Sequence, residues 1–128
     1  MKSNLQVFLL SALLLFGFSM PAFAQLSGWT KKASVTINEA RGENGADYVM
    51  FIDINTQTYV SAGQMLANGN DIRFAADCNG SQLIPYWIES GMNTASTRIW
   101  LRLPQLNGNA ANEVYLFMGN PSATAGSS

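Results

Sequence analysis

Segments in which apolar and polar residues alternate make up much of the chain after residue 28. The pattern is clearest in residues 29–37, where the odd positions are mainly apolar and the even positions are polar. An alternation with a period of two is typical of a β-strand that has one buried face. The predicted buried face of this first strand consists of Trp29, Ala33, Val35 and Ile37.

Five later segments also have the length and composition of strands. They are residues 47–55, 72–75, 82–89, 97–103 and 113–118. Segment 47–55 is apolar on both faces, which is typical of a central strand that is covered on both sides. Pro85 interrupts segment 82–89 and favours an edge strand or a bulge, because proline has no N–H to donate to a sheet.

The residues between these segments favour tight turns. Asn-Gly pairs occur at Asn44-Gly45, Asn68-Gly69, Asn79-Gly80 and Asn107-Gly108. Both residue types tolerate the positive φ angles of hairpin turns. Only residues 60–67 have a pattern compatible with a short helix, and Gly63 weakens it. Six or seven short strands separated by such turns predict an all-β fold, an antiparallel two-sheet β-sandwich of jelly-roll-like type.

Residues 1–24 have the organisation of a secretory signal peptide. Lys2 precedes the uncharged apolar run 7–20, and Ala22 and Ala24 provide small residues at the two positions that a signal peptidase reads. The alternative is a membrane anchor, but the run is shorter than the roughly 20 apolar residues that span a bilayer, and no basic cluster follows it. We therefore predict cleavage after Ala24 and a secreted, periplasmic or cell-surface location, with no membrane insertion of the cleaved chain.

The composition of the remaining chain limits its partners and its means of stabilisation. Cys78 is the only cysteine, so no internal disulfide can form and core packing must hold the domain together. Once Lys2 is removed with the signal peptide, six basic and eight acidic residues remain, which gives a net charge of −2. This balance provides no basic face for nucleic acid and no attraction to anionic lipid.

The chain divides into three parts on composition. Residues 1–24 form the predicted signal peptide, residues 25–120 the β-sandwich domain, and residues 121–128 a linker-like C-terminal tail without apolar periodicity. A tail of this kind is typical of the connection to a further domain, so we expect the chain to be part of a longer protein.

Four segments of the chain resemble a known bacterial extracellular family. They are SAGQMLANGNDIRF (61–74), LIPYWIESG (83–91), STRIWLRLPQL (96–106) and VYLFMGNPSA (114–123). In this order and spacing they resemble domain of unknown function 2341, and GWTKKASVTI (28–37) is similar to the first strand of that family. The chain departs from the family pattern at Phe117-Met118, where two tyrosines are more frequent, and at Cys78, where a polar turn residue is usual.

The resemblance implies a fold and a compartment but no activity, because the family has no agreed one. Members of that family stand ahead of concanavalin-like lectin or laminin-G-like domains, and others are fused to proton-channel subunits of the ExbB/TolQ type. The resemblance therefore implies an accessory domain of a larger protein outside the cytoplasm.

The residue types of the chain exclude most catalytic mechanisms. There is no histidine, which removes the Ser-His-Asp and Cys-His arrangements and the commonest metal ligand. No phosphate-binding glycine loop occurs, and most of the eight acidic residues lie in or beside predicted turns. We therefore expect no enzymatic activity, no catalytic residue, no bound metal and no cofactor.

Two features of the turns have a functional and a structural interpretation. Asp71 and the turn 77–80 offer hard oxygen ligands for calcium, but their spacing is not that of an EF-hand loop. The simpler interpretation is that these Asp and Asn side chains cap their own turns. Cys78 lies in the same turn, where an exposed thiol could pair between molecules. The favoured alternative is an inert, partly buried side chain.

Segment 97–103 carries the main candidate residues for ligand binding. Strand parity places Trp100 between Arg98 and Arg102 on the face opposite the predicted core. An exposed indole between guanidinium groups suits stacking on a sugar ring. The alternative is that both faces are covered and the arginine stems pack over the indole. The predicted inward face of this strand consists of Ile99, Leu101 and Leu103.

Two functions are therefore open from the sequence. The first is a secreted, non-catalytic accessory domain that binds glycan or cell-wall polymer through Trp100, Arg98 and Arg102. The second is a structural or assembly module that packs against a neighbouring domain of the same polypeptide and binds no small molecule. Exposed aromatic side chains on one sheet face would favour the first, and an apolar patch beside the C-terminal linker would favour the second.

Overall fold

The computed structural model describes residues 26–127, which form seven β-strands and one short helix. The predicted signal peptide, residues 1–24, lies outside the described residues. The elements are β1 (Lys31–Glu39), β2 (Gly45–Ile54), α1 (Thr56–Ser61), β3 (Arg73–Ala75), β4 (Leu83–Ile84), β5 (Tyr86–Ser90), β6 (Thr97–Leu106) and β7 (Ala110–Met118).

The strands form two antiparallel sheets. Sheet A has the order β1-β7-β3-β4, and sheet B has the order β2-β6-β5. The predicted all-β antiparallel sandwich is therefore confirmed. The edge strands β1 and β2 lie on the same side of the sandwich, because residues of both line one cavity.

Apolar side chains from both sheets meet between them and form the main core. Ile99, Leu101 and Leu103 of β6 are almost completely buried there, which confirms the inward face predicted for this strand. The inward face of β1 also follows the predicted parity at Ala33, Val35 and Ile37. Other core residues from sheet A are Phe74, Ile84, Val114, Leu116 and Met118.

The prediction of a central strand at residues 47–55 is wrong. β2 is an edge strand of sheet B, and β6 occupies the centre. One face of β2 contributes Met50, Ile52 and Ile54 to the core, whereas Val49 and Phe51 on its other face are exposed. β2 is therefore apolar on both faces because one face lies in the core and the other is an exposed apolar surface.

Segment 82–89 is two strands that belong to different sheets. β4 pairs with β3 in sheet A, β5 pairs with β6 in sheet B, and Pro85 stands between them. Proline has no N–H for a ladder, and its carbonyl accepts a hydrogen bond from the Arg102 N–H at 3.0 Å. Both strands are at a sheet edge, so the prediction of an edge strand is confirmed, and the chain changes sheets at Pro85.

The helix lies earlier in the chain than the predicted segment 60–67. α1 starts after Asn55, whose side chain accepts a hydrogen bond from the Thr58 N–H at 3.2 Å and so caps the helix N-terminus. The buried hydroxyls of Thr56 and Thr97 share a hydrogen bond of 2.6 Å, which ties the helix to β6. The cap and this tertiary contact set the position of the helix. Neither can be recognised from the periodicity of apolar residues, which is why the sequence placed the helix too late in the chain.

Trp29 does not join the inward face of β1, contrary to the prediction. It precedes β1 and packs on the outer face of sheet A, against a second cluster of Leu26, Ala75 and Phe117. The indole Nε1 donates to the carbonyl of Asp71 at 2.6 Å. The segment before β1 thus acts as a cover for sheet A.

The C-terminal tail contacts the domain. Arg73 Nη2 donates to the carbonyl of Thr124 at 2.7 Å, and the Ile88 N–H donates to the Ser127 hydroxyl at 3.2 Å. Because Ile88 lies in the edge strand β5, the tail supplies a hydrogen-bond acceptor to that edge. Residues 124–127 are therefore tied to the sandwich, although their composition is that of a linker.

Candidate functional site

The outer face of sheet B carries a line of three aromatic side chains. In the antiparallel register, Phe51 of β2 stands opposite Trp100 of β6, and Trp100 stands opposite Trp87 of β5. We call these three residues the aromatic row. Neighbouring strands are about 4.8 Å apart, so the row crosses about 10 Å of the sheet at right angles to the strands.

The rings of the aromatic row are accessible at both ends. The relative exposure of Phe51 is 43% and that of Trp87 is 48%, while Trp100 between them is half-buried. The Phe51 and Trp100 rings meet edge to face, with centroids 5.3 Å apart and an interplanar angle of 65°. Val49, next to the row on β2, is 58% exposed. Large apolar side chains that are exposed together on one face are typical of a surface that binds a ligand or another protein.

An ionic group borders the row on one side. Arg98 donates from Nε and Nη2 to the two carboxylate oxygens of Asp53 at 3.0 and 2.9 Å, and Glu89 lies 3.9 Å from the guanidinium. The hydrogen bonds from Arg98 lower the pKa of Asp53, and the same bonds raise the pKa of Arg98. The guanidinium also stacks on the Phe51 ring, 4.1 Å from its centroid. Arg98 therefore holds Phe51 in place.

On the other side of the row, Arg102 has fewer partners. Its Nε is 3.5 Å from Asp47, and both side chains are mostly exposed. Exposed pairs of this kind are weak and adjustable. Arg102 and Val49 line a shallow depression of about 220 Å³ together with Trp87 and Trp100. Of the two arginines on this face, Arg102 is therefore the one with donors available to a ligand.

Trp100 contains a polar group without a partner. Its indole Nε1 is buried and has no hydrogen-bond acceptor among the described residues. A buried N–H left unpaired in this way costs about 1–3 kcal/mol. The ring is thus held by its neighbours and by the register of β6 rather than by a hydrogen bond.

The structure brings all three predicted site residues together on one exposed face. Trp100, Arg98 and Arg102 lie on the outer face of β6, as parity indicated. The Arg98 guanidinium stacks on Phe51, and Trp100 itself is half-buried. Their role in binding stays a prediction.

Trp87 and Phe51 are the two residues of the row that the sequence did not single out. The sequence pattern predicts one strand around Pro85, whereas the change of sheet at Pro85 decides which face its residues occupy. The alignment of Phe51 with Trp100 depends on the pairing of two strands, so neither segment alone predicts it. The only available signal was the apolar character of both faces of segment 47–55.

The acidic side chains considered for calcium are engaged with the backbone. Asp71 is buried and accepts from the N–H groups of Leu66 and Gly119 at 3.0 and 2.8 Å. Asp77 accepts from Ser81 and Gln82, and the Ser81 hydroxyl bond lowers the pKa of Asp77 most. Within residues 26–127, no three His, Cys, Asp or Glu side chains cluster as metal ligands would.

Cys78 is exposed in the turn between β3 and β4, so the prediction of a partly buried side chain is wrong. Hydrogen bonds from Ser81 and Gln82 to Asp77 close this turn below the cysteine. The turn is thus held by Asp77, and the thiol is left outside it.

A cavity of about 290 Å³ lies at the open side of the sandwich, between β1 and β2. The Glu39 carboxylate at its rim accepts hydrogen bonds from backbone N–H groups of Arg41, Gly42 and Asn109. These bonds, the one from Asn109 foremost, lower the pKa of Glu39. The carboxylate therefore fixes two loops to each other and is not available as a ligand group.

Comparison with known proteins gives one match. The family model of a domain of unknown function, DUF2341, matches residues 68–128, which include β3 to β7. This match supports the family assignment that the sequence segments indicated. No curated protein and no solved structure matches the chain. The residues that the structure describes include no helix with the length and apolar character of a membrane span.

Proposed function

We propose that this domain is a secreted, non-catalytic accessory module that binds polysaccharide on the outer face of sheet B. The observation that carries the proposal is the aromatic row, in which Trp87 and Phe51 are 48% and 43% exposed. Aromatic side chains usually supply core or interface area, and a monomer that leaves such rings in water loses the stabilisation of burying them. A binding surface accounts for this arrangement.

The chemistry of the row suits a sugar ring. The C–H face of a pyranose is apolar and flat, so it can cover an indole and release the water on both surfaces. The depression beside Trp87 and Trp100 provides a seat for the ring, and Arg102 provides N–H donors at its border. Stacking would supply most of the affinity, and the polar border would orient the sugar.

The non-catalytic part of the proposal follows from the groups on this face. Asp53 and Glu89 both lie against the Arg98 guanidinium, and Asp47 lies against Arg102. Glycoside hydrolysis uses one carboxyl group whose pKa is raised, and hydrogen bonds from Arg98 lower the pKa of Asp53. The predicted signal peptide would deliver the domain to a compartment that contains polysaccharide.

A second candidate function is docking against a neighbouring domain. Val49, at 58% exposure, and Phe51 form an apolar patch on the edge strand β2 that a protein surface could cover. The accessory position implied by the resemblance to the family also supports this candidate. The two functions differ in the partner, so a test with isolated polysaccharides separates them.

The test is retention of the purified protein on insoluble polysaccharides, with Trp87→Ala as the main variant. We expect cellulose, mannan or chitin to retain the unchanged protein. We expect Trp87→Ala to bind the same polymer at least about tenfold more weakly, as for an aromatic residue that supplies much of a binding surface. Tyr48→Ala is the matched control, since Tyr48 is an exposed aromatic residue of β2 outside the row.

The melting temperature of each variant is measured beside its retention. Because Trp87 is half in solvent, the Trp87→Ala variant is expected to fold and to melt close to the unchanged protein. Equal retention of Trp87→Ala and the unchanged protein contradicts the proposal. Absence of retention on every polysaccharide also contradicts it and favours docking against a protein.

A further inference from the structure

We infer that the polymer held on the aromatic row is an uncharged polysaccharide, recognised through its hydroxyl groups by the Arg102–Asp47 pair. This inference rests on the proposed function and deepens it by naming the class of ligand. It is carried by the charges around the row and by the type of hydrogen-bonding group that each side offers.

The charges around the row do not favour an acidic polymer. Three carboxylates, of Asp47, Asp53 and Glu89, face two guanidinium groups, of Arg98 and Arg102. The surface around the row therefore has a net charge of −1 from these five groups. A polymer with one carboxylate in each sugar unit would bring repeated negative charge to this surface, and like charges at close range repel each other.

Neither arginine is set up to receive a carboxylate. Arg98 already makes the two-bonded pair with Asp53 and stacks on Phe51, so its planar fork is occupied. Arg102 is more accessible, but Asp47 stands 3.5 Å from its Nε. A sugar carboxylate would have to displace Asp47 or lie beside it, and both arrangements place two negative groups together.

The Arg102–Asp47 pair is instead suited to hydroxyl groups. A guanidinium only donates hydrogen bonds and a carboxylate only accepts them, whereas a hydroxyl does both. A sugar with neighbouring hydroxyls can therefore accept from Arg102 and donate to Asp47 without separating the pair. Arg102 lines the depression that contains Trp87 and Trp100, and Asp47 lies beside Arg102. Both side chains are mostly exposed, so they can adjust to a sugar ring seated there.

The experiment compares polymers that differ only in charge. Cellulose, mannan and chitin are each used unmodified and after oxidation of the C6 hydroxyl to a carboxylate, with the purified protein. We expect the oxidised forms to bind about fivefold or more weakly, as one unscreened repulsion near the surface implies. Retention on the neutral forms is expected to stay constant between about 0.05 and about 0.5 M NaCl, since stacking is not screened by salt.

Two variants assign the effect to the pair. Asp47→Asn removes a negative charge but keeps a weaker acceptor, so it is expected to weaken neutral retention less than Arg102→Ala does and to narrow the difference in retention between the neutral and oxidised forms. Arg102→Ala is expected to weaken retention on the neutral forms several-fold without a change in melting temperature, because Arg102 is exposed.

The outcomes separate this inference from the proposed function. Stronger retention on the oxidised forms that disappears at high salt overturns the uncharged class, while loss of that retention in Trp87→Ala keeps the proposed function. Equal retention of neutral and oxidised forms also overturns the inference, because charge then plays no part. Absence of retention on every polymer overturns the inference together with the proposed function.

Discussion

The outer faces of the two sheets carry similar side chains but meet different surroundings. On sheet A, Phe117 is 7% exposed and Ala75 is completely buried, although both point away from the main core. On sheet B, Phe51 and Trp87 stand in solvent. One face of the sandwich is thus closed and the other is open, with aromatic residues on both.

A segment of chain makes this difference. Residues before β1 lay Leu26 and Trp29 over Phe117, and Arg73 stacks on the Trp29 ring at 5.0 Å. On sheet B, Arg98 stacks on Phe51 at 4.1 Å in a similar way, but no segment among residues 26–127 covers the row. Both faces therefore have an arginine stacked on an aromatic ring. They differ in that a segment of chain covers the aromatic residues of sheet A, whereas those of sheet B are exposed and form the candidate binding surface.

Asp71 holds the cover of sheet A in place through its backbone carbonyl, and its buried carboxylate fixes Asp71 itself. Asp71 accepts hydrogen bonds from the Leu66 and Gly119 N–H groups, and its carbonyl accepts from the Trp29 indole. Trp29 thus has the hydrogen-bond partner that Trp100 on sheet B lacks. Trp29 is therefore fixed by a hydrogen bond as well as by packing, whereas Trp100 is fixed by packing alone.

The largest test of the comparison is Phe117→Ala. Emptying a buried phenylalanine site costs about 3–5 kcal/mol, whereas Phe51→Ala on the open face is expected to cost about 1 kcal/mol or less. Urea unfolding followed by tryptophan fluorescence measures both free energies of unfolding. Equal losses for the two variants would show that sheet B is also covered in solution.

Trp100 is expected to give an intermediate effect. Trp100→Ala removes a half-buried ring and the edge contact with Phe51, so we expect a loss of about 1–3 kcal/mol, below the value for a fully buried aromatic residue. Trp100→Phe keeps most of the ring and removes the unpaired N–H, so we expect a change of less than about 1 kcal/mol. A Trp100→Phe variant as unstable as Trp100→Ala would contradict this reasoning.

The fold could be predicted from local patterns wherever one face of a strand is buried. Ile99, Leu101 and Leu103 alternate with polar or aromatic residues, and the structure has them in the core. The edge position of β2 could not be predicted, because an uncovered apolar face and a covered one have the same sequence pattern. The helix start at Thr56 depends on a capping side chain and a contact with Thr97.

The candidate site could be predicted only in its central strand. Parity within one strand places Trp100, Arg98 and Arg102 on a common face. The other two aromatic residues of the row, Phe51 and Trp87, come from strands whose register with β6 is set by tertiary pairing. Each of the three strands contributes one aromatic residue to the row, so the sequence contains no local motif that indicates the whole site.

A smaller effect is expected from the C-terminal tail, which contacts the edge of sheet B at Ile88 and sheet A at Arg73. Deleting residues 122–128 removes both hydrogen bonds, so we expect a loss of about 1 kcal/mol. Ser127→Ala is expected to lose only part of this, and Thr124→Ala none, since Thr124 contributes its backbone carbonyl. A deletion without effect would show that the tail is a free linker, as its composition indicates.

The smallest effect on stability is expected from two carboxylates, one on sheet B and one in a turn of sheet A. Asp53, beside the row on sheet B, has its pKa lowered chiefly by hydrogen bonds from Arg98, and Asp77, in the turn of sheet A, chiefly by the Ser81 hydroxyl. Both start from an ordinary value of 3.8. Because the folded pKa is below the unfolded one, their contribution to stability is complete above the unfolded pKa and is lost as the pH falls through the folded pKa.

We therefore expect a melting temperature that is constant from pH 7 to about pH 5 and that falls below about pH 4. Asp53→Asn and Asp77→Asn should each flatten this fall, and a melting temperature that rises in acid would contradict the shifts. Salt separates the two regions, because it screens the attraction between Asp53 and Arg98 but not the bond from the neutral Ser81 hydroxyl. In 1 M NaCl, Asp53→Asn should then resemble the unchanged protein more closely, while Asp77→Asn keeps its difference.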